Sequence, residues 1–430
     1  MKTLTEMSPD FTQDVRSTVG TTHKTHGQNN MNDRMCTRHT DAGPGAARQL
    51  VLAAMLMAVL TTPAHAGYRE QARQIHDRLA GVPPTEAVLQ QMTDAIDPAL
   101  PGNAATAADI AMQNPNFYNV TLKNFAAPWT NRDRSAFVPL NDYIATVIGM
   151  IRDDEPFNTL LYANLTYVGR AGTVPAVPAA NNNNHYEQLE AANANLMDVL
   201  EPREQSSVNG LPPSATAGIM TSRAASEAFF VAGTNRAMFR FTLLNHLCND
   251  LEQMHDPRLP PDRIRQDVSR SPGGDSRLFL NNCVGCHTGM DPMAQAYAYY
   301  NFNPASGAIE YTPGQVQPKY FNNDLNFPQG YRTPDDAWDN YWRTGQNRYL
   351  GFDPALPGSG QGAKSLGEEL ANSEAFAACQ VKKVFRAVCL RSPENAADRQ
   401  KVGEIMDTFR GTGYRMKQVF ADTAVYCMGQ

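Results

Sequence analysis

The chain has 430 residues and a formal net charge of −6 at pH 7. A mildly acidic chain is a poor partner for nucleic acid or for an anionic membrane surface, so neither is an expected partner. Hydrophobic residues make up 42% of the sequence, enough for the core of one large domain or of two modest ones.

The segment from residue 48 to residue 66, RQLVLAAMLMAVLTTPAHA, has the pattern of a secretory signal. Arg48 supplies positive charge, Leu50 to Leu60 form a short apolar stretch, and Ala64-His65-Ala66 is a small-x-small cleavage site. The apolar stretch is too short for a permanent transmembrane helix. We therefore predict that residues 1–66 are an N-terminal extension with a signal peptide, cleaved after Ala66. The mature chain is then periplasmic or secreted, with no integral membrane segment.

Helical periodicity dominates residues 67–216, the predicted N-terminal region. Two short amphipathic helices are expected at the start, and a buried helix is expected over Phe137 to Ile151. The Gly-, Pro-, Ala- and Asn-rich stretch from Gly169 to Asn184 predicts an exposed loop, and His185 just beyond it is interpreted as a surface residue. The apolar positions that indicate the first two helices are Ile75, Leu79, Val88, Met92 and Ile96.

Residues 217–430 form the second predicted region. Helix is expected from Ala217 to Cys248, and again over Leu366 to Leu390 and Val402 to Phe420. Between them, Pro257 to Gly274 is punctuated by Pro, Asp and Gly, which predicts an irregular path towards residue 283. Asn303 to Gln361 is rich in Gly, Pro, Asn and aromatic residues, which predicts a long irregular loop of the kind that covers a functional site. No alternating pattern indicates a strand. The predicted fold is mainly α, with helical segments on both sides of a loop-rich centre.

The most informative motif is C-x-x-C-H, formed by Cys283, Cys286 and His287. Two thiols three positions apart can form thioethers with the two vinyl-derived carbons on one edge of a porphyrin, and the next imidazole can ligate the iron. This spacing is the attachment signal of a c-type haem. We therefore predict one covalent haem c per chain, with His287 as the proximal iron ligand.

Two other interpretations of the motif are a dithiol redox pair and a zinc site. Zinc is disfavoured because the sequence has no second C-x-x-C, no H-x-x-x-H and no His after His287. A thioredoxin-like pair is expected in a βαβ context and does not need the adjacent His. The secretory signal favours haem, since bacteria attach haem c outside the cytoplasmic membrane.

The distal iron ligand is left open between several residues and a vacant position. Small cytochromes commonly use a Met some tens of residues downstream, but no Met lies between Met293 and Met406. Met290 and Met293 themselves would need a sharp chain reversal, which a turn at Asp291-Pro292 would provide. The full set of distal candidates is His246, Met254, His255, Met290 and Met293.

Several other residues have possible roles near a haem. Arg236, Arg240, Arg270 and Arg277 are candidates to pair with haem propionates, although a solvated surface role is the favoured interpretation of each. The acidic cluster Asp153-Asp154-Glu155 is interpreted as a helix end rather than a calcium site. Packing is the favoured role of Trp338 and Trp342. In an oxidising compartment, the four other cysteines of the mature chain, Cys248, Cys379, Cys389 and Cys427, predict two disulfides, with Cys389–Cys427 as the favoured pair.

Several segments, taken in order, resemble secreted cytochrome-c-like proteins of unknown function that are abundant in planctomycetes and related bacteria. The haem block CVGCHTGMDP, including Asp291-Pro292, matches that group's C-x-x-C-H-x-x-[IM]-D-P segment, and the resemblance implies a haem domain and export. Many relatives carry a His shortly before the first Cys, where this chain has Leu278-Phe279-Leu280. The weaker blocks are HDRLAGVPPTEAVL, LLYANLTYVGRAG, AGIMTSRAASEAF, NRAMFRFTLLNHLC, AYAYYNF and LGEELANSEAFAACQVKKVFRAVC.

Three functions are compatible with these features. The favoured one is a monohaem cytochrome that transfers electrons to or from a periplasmic or extracellular redox partner. The second is a haem-dependent peroxidase- or oxygenase-like oxidoreductase with an open iron position, and the third is a secreted binding module with a structural haem. No catalytic residue is assigned, because the sequence has no nucleophile, Walker or dinucleotide signature.

Overall fold

The computed structural model describes residues 66–231 and 233–429, so the predicted signal segment lies outside the described residues except for Ala66. Helices contain 54% of the described residues and strands contain 7%, which confirms the predicted mainly α fold. The α-helices are α1 (Tyr68–Ala80), α2 (Glu86–Ile96), α3 (Ala104–Met112), α4 (Lys123–Ala126), α5 (Asp142–Arg152), α6 (Asn184–Ala191), α7 (Leu196–Val199), α8 (Gln205–Asn209), α9 (Arg223–Phe229), α10 (Arg236–Thr242), α11 (Ser276–Leu278), α12 (Val284–Ala294), α13 (Gly362–Ala371), α14 (Glu374–Cys389), α15 (Ala396–Gly411) and α16 (Met416–Tyr426).

The first two predicted helices are α1 and α2, and the predicted buried helix is α5. Helix α5 begins at Asp142 rather than at Phe137, because the Asn141 side chain caps it by accepting a hydrogen bond from the Ile144 N–H at 3.0 Å. Phe137 itself is 99% exposed. The prediction that the helix starts at Phe137 is therefore wrong by about one turn.

The loop over residues 170–183 is held in place by His185, which is buried rather than exposed. Its Nε2 accepts a hydrogen bond from the Gly169 N–H at 2.9 Å, so Nδ1 carries the ring hydrogen and donates it to the Ala176 carbonyl at 2.8 Å. The prediction of a surface histidine is wrong, because this ring satisfies the backbone N–H of Gly169 before the loop and the carbonyl of Ala176 within it.

In the part of the chain that the structure describes, three two-stranded antiparallel sheets lie between the helices. Sequence analysis predicted no strands, and this prediction is wrong for six short segments. Each has only three or four residues, which is too short for an alternating apolar pattern to emerge. The pairs are β1 (Thr166–Gly169) with β2 (Leu200–Arg203), β3 (Tyr300–Asn303) with β4 (Ala308–Tyr311), and β5 (Ala337–Asp339) with β6 (Ser359–Gln361).

Two disulfides link α14 to other parts of the described chain. The predicted pair Cys389–Cys427 is confirmed, and the second pair is Cys248–Cys379. Both bonds involve α14, one through Cys379 within the helix and one through Cys389 at its end. Helix α14 is therefore covalently linked to Cys248, which follows α10 in sequence, and to Cys427 at the end of α16.

One hydrophobic core contains residues from both predicted regions. Phe117 packs edge-to-face on Phe420 with ring centroids 5.2 Å apart, and Phe157 packs on Phe376. Aromatic contacts of this kind join residues 67–216 to the C-terminal helices. No helix in the described part of the chain is long and apolar enough to cross a membrane.

Candidate functional site

The C-x-x-C-H motif lies at the start of α12. The Asp275 carboxylate caps α11 by accepting a hydrogen bond from the Arg277 N–H, and one π-helical turn over Phe279–Cys283 then leads into α12. At 100° per residue, Cys283, Cys286 and His287 lie on one side of this helical segment. The local helix therefore presents both thiols and the imidazole together.

The thiols of Cys283 and Cys286 are free and half-buried, whereas the other four cysteines of the described chain form disulfides. Burial raises the pKa of the Cys286 thiol, and the carboxylate of Glu252 acts in the same direction. Both sulfur atoms remain available for another covalent partner.

His287 is held by Asp291, one turn further along α12. Its Nδ1 lies 3.1 Å from Asp291 Oδ2, and Asp291 is completely buried whereas His287 is 18% exposed. A carboxylate accepts hydrogen bonds only, so Nδ1 carries the ring hydrogen. The other ring nitrogen, Nε2, makes no hydrogen bond within the described chain and is the nitrogen that a metal would bind.

Two guanidinium groups surround the Asp291 carboxylate. Arg236 contacts it twice, with Nε 2.7 Å from Oδ1 and Nη2 3.1 Å from Oδ2, and Arg265 Nη2 lies 3.4 Å from Oδ1. Burial alone raises the pKa of the Asp291 carboxyl, but Arg236, Arg265 and the His287 ring outweigh burial and hold the pKa well below its usual range. Asp267 balances the cluster by pairing with Arg236 at 2.5 Å.

Elements distant in sequence bring these groups together. Asn235, just before α10, donates hydrogen bonds to the carbonyls of Tyr297 and Tyr300, both at 2.8 Å, so it joins the start of α10 to the segment that follows α12. Arg265 is fixed by a hydrogen bond from Nη2 to Thr234 Oγ1 at 2.9 Å. These contacts position Arg236 and Arg265 against the side of α12 that carries Asp291.

The side of α12 that faces away from His287 is tightly packed against other residues. A Cβ added at Gly285 would lie 2.7 Å from atoms of the His255 ring, and one added at Gly289 would lie 2.5 Å from Cε2 of Trp342. On an ideal helix Gly285 points about 200° away from His287. His255 therefore contacts the side of α12 that faces away from the imidazole of the motif.

The other distal candidates are also distributed away from His287. Helix α12 runs unbroken through Pro292, so the expected turn at Asp291-Pro292 is absent, and Met290 and Met293 are buried on the same helix as His287. Met254 is buried, and its carbonyl accepts a hydrogen bond from Asn347 at 2.9 Å.

His246 lies in the main core. Its Nε2 is 2.7 Å from the hydroxyl of Tyr143, and its ring packs edge-to-face against Trp129 and stacks with Phe376. Burial lowers the pKa of His246 well below its ordinary value, with Lys383 acting in the same direction. This hydrogen bond and these ring contacts give His246 a packing role in the core.

Each candidate arginine already has protein partners. Arg240 pairs with Asp250 and Arg277 pairs with Asp275, whereas Arg270 donates to the carbonyls of Val268 and Ile264. Arg236 differs from the expected surface role, because it is mostly buried in the ionic cluster at Asp291.

The remaining candidates have structural roles. Trp338 and Trp342 are both buried, as their predicted packing role requires. Asp153 accepts hydrogen bonds from Arg152 and Tyr167 at the end of α5. Within the described chain, no group of three or more His, Cys, Asp or Glu side chains is arranged to hold a metal ion.

Comparison with known proteins adds no further constraint. No family model, no curated protein and no solved structure matches the chain. The site is therefore interpreted from its own residues.

Sequence reasoning assigned no role to the Asp291 side chain and overlooked Arg265 and Asp267. The spacing of His287 and Asp291 was a usable signal, because residues four positions apart on a helix are neighbours. The Arg265 and Asp267 partnership depends on the path of the irregular segment 257–274, which no local pattern predicts.

Proposed function

We propose that the chain is an exported monohaem c-type cytochrome-like protein that transfers electrons to or from a periplasmic or extracellular redox partner. Cys283 and Cys286 would hold the haem through thioethers, and His287 would ligate the iron through Nε2. The observation that carries the proposal is that two free thiols and an imidazole with its Nδ1–H held by Asp291 occupy one side of α12. When bound, the haem supplies reversible one-electron chemistry.

The residues around the motif have defined tasks in this proposal. Asp291 orients the imidazole and keeps its hydrogen on Nδ1, which leaves the Nε2 lone pair for iron. His255 and Trp342, packed on Gly285 and Gly289, hold α12 in place from behind. Exposed Leu278 and Leu280, shortly before Cys283, offer apolar surface of the kind that a porphyrin covers.

Export of the mature chain belongs to the same proposal. Two disulfides in the described chain are compatible with an oxidising compartment. The secretory pattern of residues 48–66 and the resemblance to secreted cytochrome-c-like proteins point the same way. Cleavage after Ala66 would release a chain that begins at Gly67.

The attachment site is tested by replacing both motif cysteines in cells that attach haem c. A Cys283→Ala, Cys286→Ala variant is expected to lose all haem that resists denaturation, because no thioether can form. The matched control is Cys389→Ala, Cys427→Ala, which also lacks two cysteines but should retain the haem. Covalent haem in the first variant would refute the assignment.

One observation favours the second candidate function, an oxidoreductase with an open iron position. Among the candidates for a second iron ligand, His255 packs on the side of α12 that faces away from His287, and Met290 and Met293 belong to α12 itself. Visible spectra of the reduced holoprotein with and without carbon monoxide separate the two functions. Binding of carbon monoxide without displacement of a protein ligand supports the oxidoreductase. A low-spin six-coordinate spectrum of the reduced protein before carbon monoxide is added supports the electron carrier.

A further inference from the structure

The hydrogen bond between His287 and Asp291 belongs to a buried ionic cluster rather than to an isolated surface salt bridge. Asp291 is completely buried, and its two oxygens accept hydrogen bonds from His287, Arg236 and Arg265. Arg236 already has a second carboxylate partner in Asp267, with Nη2 2.9 Å from Oδ1. Of these two carboxylates, Asp291 is the one that contacts the imidazole of His287, and it is also the one that contacts Arg265.

We propose that Asp291 is a positioning residue that lowers the reduction potential of the haem by accepting the Nδ1–H of His287 as a charged carboxylate. This inference rests on the proposed haem site. A hydrogen bond to an anionic acceptor is stronger than one to a neutral acceptor, and it places more electron density on the imidazole. A more electron-rich proximal ligand stabilises the oxidised iron relative to the reduced iron.

The surrounding cluster keeps this acceptor in place. Arg236 clamps Asp291 from α10, and Arg265, only 2% exposed, reaches it from the segment 257–274. Two cations face two carboxylates, Asp291 and Asp267, so the cluster balances its own charge. A fixed acceptor in a largely buried cluster interacts more strongly with its partner than an exposed carboxylate would.

The test compares two variants of the holoprotein by potentiometric titration of the haem spectrum. In Asp291→Asn, the amide oxygen can still accept the Nδ1–H, so the substitution removes charge while preserving shape. We expect the equilibrium to shift at least tenfold towards the reduced haem, which for one electron corresponds to 59 mV. The matched control, Asp267→Asn, removes one charge from the same cluster without touching His287 and should shift the equilibrium much less.

Failure of the haem assignment and failure of the inference about Asp291 give different results in this test. Wild-type protein without covalent haem would refute the proposed function. Wild-type protein with haem, together with no shift in Asp291→Asn or an equal shift in Asp267→Asn, would overturn only the inference about Asp291.

A measurement on the wild-type protein covers the case in which Asp291→Asn does not fold. Reduced holoprotein under carbon monoxide is diamagnetic whichever distal ligand it has, so the ring protons of His287 are visible by NMR and are identified by the ring-current shift of the haem. A buried hydrogen bond to Asp291 predicts a low-field Nδ1–H signal that exchanges slowly with solvent. A rapidly exchanging Nδ1–H would contradict the proposed contact.

Discussion

Asp336, just before β5, is a buried carboxylate with no hydrogen bond from another side chain within the described chain. Burial raises its pKa to about 6, and the neighbouring charge of Asp335 acts in the same direction. Since the pKa of the unfolded chain is about 3.8, the folded state binds the proton more tightly. The stability that this group contributes is therefore present below pH 4 and is lost as the pH rises through 6.

Replacing Asp336 with Asn removes this decrease in stability at higher pH, because the amide does not titrate. We expect Asp336→Asn to be more stable than wild type at pH 7, by on the order of 1 kcal/mol after allowance for the solvent near the carboxylate, and about equal at pH 3.5. Guanidinium denaturation at both pH values measures the difference. Asp407→Asn, an exposed position on α15, serves as the control and should change little; a stabilisation of Asp336→Asn that is equal at both pH values would exclude the titration.

The chemistry of the C-x-x-C-H motif was predictable from the sequence, whereas the side chains that contact the motif were not. Cys283, Cys286 and His287 act through local spacing, which the sequence contains in full. Arg265 reaches Asp291 from a loop 26 positions away, and His185 was mistaken for a surface residue because the backbone groups that it satisfies belong to a loop. Partners that depend on the path of an irregular segment leave no local pattern.

At the scale of elements, Gly289 is where α12 approaches the turn that carries Trp342. Trp342 is fully buried and also packs on Phe239, with ring centroids 5.7 Å apart, so its ring cannot easily move away. We expect Gly289→Ala to destabilise the protein by about 1–3 kcal/mol, because the added methyl group overpacks this contact.

The control for this prediction is Gly403→Ala in α15. No atom lies within 4 Å of a Cβ added at Gly403, so the substitution should stabilise the protein by up to about 1 kcal/mol through helix propensity. Both variants are measured by guanidinium denaturation of the holoprotein. If Gly289→Ala proves as stable as Gly403→Ala, the described packing of α12 on Trp342 is wrong.

The accuracy of the predicted elements follows from their length. Helices of ten or more residues carry an apolar period, and α1, α2, α5 and α14 lie where that period indicates. Their ends depend on caps such as Asn141 and Ser373, which sequence analysis did not use. For this reason the predicted helix over Leu366 to Leu390 is divided at Ser373 into α13 and α14.

At the scale of the whole molecule, the described chain surrounds α12 with far more structure than a small electron carrier needs. Segments on both sides of the motif in sequence supply its support: Arg236 and Arg265 come from before α12, and Trp342 comes from after it. The predicted boundary at residue 216 does not divide the core, because Phe117 and Phe420 pack together. A haem on α12 would therefore be held by one extended scaffold.

Covalent attachment of haem to α12 is tested most directly by the intact mass, under denaturing conditions, of the protein exported by cells that attach haem c. We expect a mature chain that begins at Gly67 and carries the added mass of one haem. An exported chain of the same length without that added mass, or one whose haem is removed by denaturation alone, would refute the covalent haem.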